Sequence, residues 1–168
     1  GAKFTGLIIP NVFGPFGVPF YNSVISTFSY QICNKQEPKL EVDNELKLIY
    51  VGDLVKVVLD LFPADHAEKK TDYAYTEGTE DTQNTEGTED TDGWLPPKVL
   101  EVPYKAKYKV SELLYKLKDY YETYVVKGIF PDLTDWFEVC LFNTFRSYLP
   151  KEHFPVKYNK HLDDRGIY

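Results

Sequence analysis

Three histidines, two cysteines and fourteen tyrosines are the side chains of this sequence best suited to chemistry. Their spacing excludes most of it. His66, His153 and His161 share no metal-ligand spacing, and His161 beside Asp163 and Asp164 reads as a polar surface stretch rather than a metal site. Cys33 and Cys140 lie far apart and read as buried apolar side chains in a reducing compartment. No tyrosine is followed by lysine four residues on, the spacing that sets a phenol and an ammonium on one helix face for proton transfer. Gly-x-Ser-x-Gly, His-Glu-x-x-His and Gly-x-Gly-x-x-Gly are absent. Gly14-Pro-Phe-Gly17 lies between an expected strand and an expected helix and invites a phosphate reading. Its proline removes a donor and stiffens the loop, so it reads first as a turn. Asp90-Thr-Asp92-Gly93 lacks the EF-hand spacing and its closing glutamate. The chain alone shows no evident proton-transfer or hydride machinery.

The elements that must position any site follow from hydropathy. The apolar run at residues 4–9 predicts a buried strand, and the turn-rich stretch 11–19 predicts a loop. From Asn22 as N-cap, Val24, Ile25, Phe28 and Ile32 recur at helical spacing, with a stop near Asn34 before Pro38. Residues 40–42 and 46–51 look β-like. Asp53 reads as the cap of a second helix whose buried face is Leu54, Val55, Val57, Val58, Leu61 and Phe62. A strand is expected at 99–102. Ser111 is expected to cap a third helix, and Pro131 with Asp132 to open a fourth, aromatic on one broad face.

The chain has 168 residues and a net charge of −7. A domain of this size buries about 70 % of its unfolded surface, enough for a real core. The stretch 64–94 holds ten acidic residues and two lysines, which leaves the rest close to neutral. Within it Thr76-Glu-Gly-Thr-Glu-Asp-Thr82 recurs at Thr85 to Thr91. Such a segment cannot offset its ordering entropy and is expected to be a disordered insertion. A near-neutral fold with an acidic loop is a poor nucleic-acid binder. The longest apolar stretch is broken by Pro10, Gly14, Pro15 and Pro19, so no membrane span and a cytoplasmic location are expected. Methionine is absent, so Gly1 is not a natural start and the chain is expected to be a piece of a longer protein.

At Leu7-Ile-Ile-Pro-Asn-Val-Phe-Gly-Pro-Phe-Gly17 the sequence resembles the substrate-binding half of extended short-chain dehydrogenases, the NAD-dependent epimerase/dehydratase family acting on nucleotide sugars. Leu48-Ile-Tyr-Val-Gly-Asp-Leu-Val55 is similar to that family's next strand-to-helix element, with Gly52 in place of an Asp. Pro10-Asn-Val-Phe-Gly-Pro-Phe-Gly and Tyr21-Asn-Ser-Val24 resemble bifunctional capsular-polysaccharide enzymes of the CapF/WbjC type, and Lys160 to Gly166 resembles the lead-in to their cupin. The resemblance implies an α/β fold (α+β as an isolated fragment) of about four helices and a few short strands, without its Rossmann half. It divides the chain into a first part of the substrate-binding subdomain at 1–63, the acidic insertion at 64–94, a second part at 95–150 and a linker toward a cupin-like domain at 151–168. In the intact parent it implies NADP or NAD and reduction or epimerisation of a UDP-sugar for surface polysaccharide. No cofactor is expected for this chain alone.

Substrate-binding roles carry over to six residues. Asn11 matches the asparagine that hydrogen-bonds the sugar nucleotide near its diphosphate; the alternative is a turn cap. Phe13 would lie beside nicotinamide or sugar, or else pack in the core. Tyr21 and Asn22 stand where the substrate helix begins, or serve as ordinary caps. Arg146 and Arg165 are poorly placed for the phosphates, so Lys39 or Lys47 would have to serve. No catalytic residue is assigned. The expected partners are a UDP-sugar and a second copy in a homodimer, since cutting out the first strand would expose an apolar edge. A different reading is a non-catalytic interaction or oligomerisation module that kept the subdomain's shape.

Overall fold

In the computed structural model, which describes residues 4–62, 98–154, 162–164 and 166–167, the chain is a mixed α/β unit of four α-helices and short strands. The acidic repeat expected to be disordered, and much of the stretch expected to lead toward a cupin, lie outside the described residues.

Strand β1 (Thr5–Ile8) pairs in parallel with β4 (Lys98–Glu101). Strand β2 (Asn11–Phe13) pairs in parallel with β3 (Glu45–Tyr50), which pairs antiparallel with β5 (Ala106–Lys109). Two-residue strands β6 (Leu162–Asp163) and β7 (Gly166–Ile167) pair antiparallel. The apolar run at 4–9 is thus a strand but not a buried one: Phe4 is 79 % and Ile8 58 % exposed. A parallel strand is covered when sheet and helices continue on both sides, and here β4 is its only partner among the described residues. The first three residues of the expected loop form β2, because Val12 and Phe13 pair with Ile49 and Tyr50. Residues 40–42 form no strand.

Helix α1 (Val24–Cys33) is capped by Ser23, whose Oγ accepts from the Ser26 N–H; Asn22, the expected cap, lies one residue outside with φ +50°. Its far end closes with Gln36 N–H donating to Gln31 O and Lys35 N–H to Ile32 O, with Lys35 at φ +57°. That pattern normally carries glycine at the left-handed position.

Helix α2 (Val51–Asp60) follows β3 without a break, so Asp53 lies inside its first turn instead of capping it. Only Val57 of its expected apolar face is fully buried, in a small second core with Ile49 of β3 and Val102 just after β4. Helix α3 (Val110–Tyr120) starts one residue before Ser111. Ser111 is capped rather than capping: its N–H and Oγ both donate to the Asp43 carboxylate at 2.8 Å. The chain continues into a π-helical turn, Tyr121–Val126, relieved by Gly128 at φ +68°. Helix α4 (Trp136–Arg146) begins four residues after Asp132, with Asp135 as cap.

The main core joins both halves of the chain. Phe13, Phe28, Ile32 and Leu48 pack with Leu113, Leu117, Leu141 and Phe145. Cys33 and Cys140 are free and buried within it; burial pushes their thiols up to about 12 and about 11, so neither supplies a thiolate at neutral pH.

Candidate functional site

Asn11 opens β2, opposite Leu48 in the parallel register. Its Nδ2 donates to the Lys47 carbonyl at 3.2 Å, which ties two sequence-distant candidates together. One amide hydrogen and the amide oxygen remain for a ligand. Lys47 alternates outward on β3, its Nζ 5.3 Å from the Tyr104 ring centre. Asn11, Lys47, Asn22 and Glu45 surround a recess of about 600 Å³ on the outer face of the sheet. What this recess offers is hydrogen bonds, the Lys47 ammonium and the Glu45 carboxylate.

The loop after β2 is held against the fold from three sides. Phe16 N–H donates to Ser147 Oγ, Phe20 N–H donates to Thr27 Oγ1, and Tyr148 Oη donates to Gly17 O. Phe16, Phe20 and Asn22 all take the left-handed conformation, with φ of 62°, 61° and 50°. For two phenylalanines this is strained backbone, retained because the flanking helices over-determine it. Gly14 and Gly17 are required by close approach: a Cβ would stand 2.4 Å from Val51 Cγ1 at the first and 2.5 Å from Ser26 Oγ at the second. This is the physical content of the Asn-Val-Phe-Gly-Pro-Phe-Gly wording. At both glycines the backbone packs against a neighbouring side chain where any other residue would place its Cβ. Tyr21 and Asn22 border a smaller recess of about 250 Å³ beneath it.

Four of the six candidates therefore gather around the start of α1: Asn11, Tyr21, Asn22 and Lys47. Phe13 is 3 % exposed and packs against Tyr50 and Phe137, so it underlies the recesses as a core residue. Lys39 lies in the irregular stretch before β3 and joins none of these groups. Arg146 stacks over the Tyr124 and Phe142 rings, where it cannot serve a phosphate near Asn11.

Sequence reasoning missed a further concavity, a cleft of about 810 Å³ lined in part by Phe13. Tyr50, Trp136, Phe137 and Tyr108 wall it, and Lys105 and Lys107 stand at its edge. Trp136 Nε1 donates to Asp53 Oδ2 at 3.2 Å, and Lys56 bonds the other oxygen of Asp53. Burial, with Cys140 and Asp53 nearby, raises the Tyr50 phenol above its ordinary value. The alternation Lys105-Ala-Lys-Tyr-Lys109 was the available signal, since period-two polarity is a strand signature.

No protein-family model matches the chain. It is 25 % identical over 167 residues to the UDP-2-acetamido-2,6-beta-L-arabino-hexul-4-ose reductase of Pseudomonas aeruginosa, covering 95 % of this chain and 36 % of that protein. The capsular polysaccharide assembling protein CapF of Staphylococcus aureus superposes with a TM-score of 0.62 at 27 % identity, over 96 % of this chain and 37 % of CapF. A CapF structure with the inhibitor 3-isopropenyl-tropolone gives 0.61 at 27 % identity, over 96 % and 39 % of the two chains. The likeness to a part of the CapF-type proteins thus holds in both sequence and fold. The chain spans little more than a third of the length of these relatives.

Proposed function

We propose that this chain is the nucleotide-sugar-binding part of an NAD(P)-dependent UDP-sugar reductase or epimerase of surface-polysaccharide biosynthesis, and that alone it binds its ligand without converting it. The observation that carries this reading is the tie between Asn11 and Lys47 beside the strained loop, in a chain that overlays CapF along 96 % of its length. The remaining Asn11 amide groups can both donate to and accept from a sugar or its diphosphate. Lys47 supplies a compact positive charge for the phosphates. Asn22 sits just ahead of the α1 amino end, where a partial positive charge favours an anion.

The sequence holds no Gly-x-Gly-x-x-Gly fingerprint for the dinucleotide that the parent would use. At its one Gly-rich turn Val51 and Ser26 stand where a Cβ would be, and no tyrosine–lysine pair stands at the required spacing. Hydride transfer is therefore assigned to parts of the parent outside this chain, and the chain's own task is to hold and orient the sugar nucleotide. The exposed apolar residues of β1 favour self-association into a homodimer, which light scattering of the chain would reveal.

The test is calorimetric titration of the chain with UDP-N-acetylglucosamine, a stable UDP-2-acetamido sugar. Binding is expected, and Asn11→Ala and Lys47→Gln each weaken it about tenfold, as loss of a hydrogen bond to a charged group should. Absence of binding, or equal binding by both variants, would contradict the proposal.

A further inference from the structure

We propose that Lys107 is a positioning residue for the recess beside Asn11: it holds the Glu45 carboxylate across the β3–β5 ribbon and so leaves the Lys47 ammonium open to an anion. The inference rests on the nucleotide-sugar reading, since it names what keeps the cation of that site available to a diphosphate.

A carboxylate in a recess that is to take an anion needs an explanation. Glu45 and Lys47 both line it. They stand two apart on β3, so their side chains leave the same face of the strand with Cβ atoms about 7 Å apart. Two long side chains at that spacing can meet. A Glu45–Lys47 pair would occupy the ammonium and set a negative charge against an incoming phosphate. The structure shows a different pairing. Glu45 Oε1 lies 2.5 Å from Lys107 Nζ on β5, and Lys47 has no ion pair among the described residues.

The register explains the choice. Antiparallel pairing sets Lys107 directly opposite Lys47 and Lys109 directly opposite Glu45, so all four side chains share one face. Like charges directly opposite repel, and Glu45 answers this by reaching diagonally to Lys107. Its hydrogen bond and its charge raise the Lys107 ammonium above the ordinary value. Lys47 is held in another way. Its Nζ lies 5.3 Å from the Tyr104 ring centre, and attraction to a ring face leaves the positive charge whole. Lys109 lines no part of the recess, so a carboxylate released by Lys107 finds Lys47 as its neighbour there. The Glu45 side chain is 49 % and that of Lys107 47 % exposed, so the effect has the size of an exposed ion pair and is screened by salt.

The experiment titrates UDP-N-acetylglucosamine calorimetrically into the full chain at about 20 mM salt, where screening is weak, with circular dichroism as the folding check. Lys107→Gln is expected to weaken binding about threefold, because the ligand must displace Glu45 from Lys47. Lys107→Arg keeps the pair and should bind as the unaltered chain does. Adding Glu45→Gln to Lys107→Gln should restore the affinity, and Lys107→Gln should add nothing once Lys47 is replaced by Gln. Unaltered affinity in Lys107→Gln, or a loss that persists after either second replacement, would overturn the proposal. A ligand-free readout separates it from the reading it rests on. In carbon-13 spectra the Lys47 Cε signal is expected to move on Lys107→Gln and to return when Glu45→Gln is added; a signal that does not return also overturns it. If Lys47→Gln weakens binding while Lys107→Gln does not, the positioning role fails and the nucleotide-sugar reading stands. If the Lys47 signal follows Glu45 as expected but UDP-N-acetylglucosamine does not bind, the role of Lys107 stands and the nucleotide-sugar reading fails.

Discussion

Asn11 and Lys47 were singled out in the sequence for separate reasons, and the fold joins them by one hydrogen bond across β2 and β3. Asn11 was legible through the resemblance carried by residues 7–17, which aligns it with a ligand-binding asparagine. The ion pair of Lys107 with Glu45 was not, because a lysine gains a partner only from the strand that faces it. Glu138 was equally hidden: it lies on an apolar helix face, buried, and its carboxylate takes Lys116 Nζ and Tyr120 Oη. The same contact, with burial as the larger cause, pushes the Tyr120 phenol strongly upward. Replacing Glu138 by Ala strands a part-buried ammonium and should cost about 3 kcal/mol in urea unfolding. A loss under about 1 kcal/mol would show that the trio contributes little. Asp43 gives a pH signature. The Ser111 N–H and Oγ hold its carboxyl below its ordinary value of 3.8, so the native state binds fewer protons than the unfolded chain. The stability it lends is present above that value and is lost as pH falls through the lower folded-state value. Asp43→Asn is neutral throughout, so its stability should fall less steeply than that of the parent from about pH 5 to about pH 3. Parallel curves would contradict this account.

At the scale of elements, existence was easier to read than boundaries. The apolar spacing of α1, α3 and α4 was plain, yet their starts were displaced from the expected ones, and α2 began three residues early. The reason is that caps were sought on the helix's own flank. In the structure Asp43, remote in sequence, secures the start of α3, and α2 needs no cap because it leaves β3 directly. Strands β2 and β5 were missed because three or four residues of backbone pairing leave almost no hydropathy signal. The two ends of α1 make a paired prediction. Ser23→Ala removes a side-chain cap and should lower stability by about 1 kcal/mol. Lys35→Gly relieves a left-handed side chain and should raise it by up to about 1 kcal/mol. Thermal melts of the two variants should move in opposite directions, and movement in the same direction would refute the assignment of the helix ends.

For the molecule as a whole, residues 4–62 and 98–154 share one core, which explains how a long acidic insertion expected between them could be tolerated. The mixed α/β class and the likeness to a part of CapF-type proteins were both legible, since they rest on one strand–turn–helix wording at 7–17 and a second at 48–55. The exposure of the outer side of α2 was less so, because an apolar helix face reads the same whether or not another element covers it, whereas an exposed apolar edge at β1 was expected. The central claim is that this unit holds a sugar nucleotide at the start of α1. Amide spectra of the isotopically labelled chain with UDP-N-acetylglucosamine added would test it most directly. The account predicts that the side-chain amides of Asn11 and Asn22 and the backbone amides around Lys47 move together and saturate, while Lys39 stays still. Unchanged spectra, or movements confined to residues far from Asn11, would contradict it.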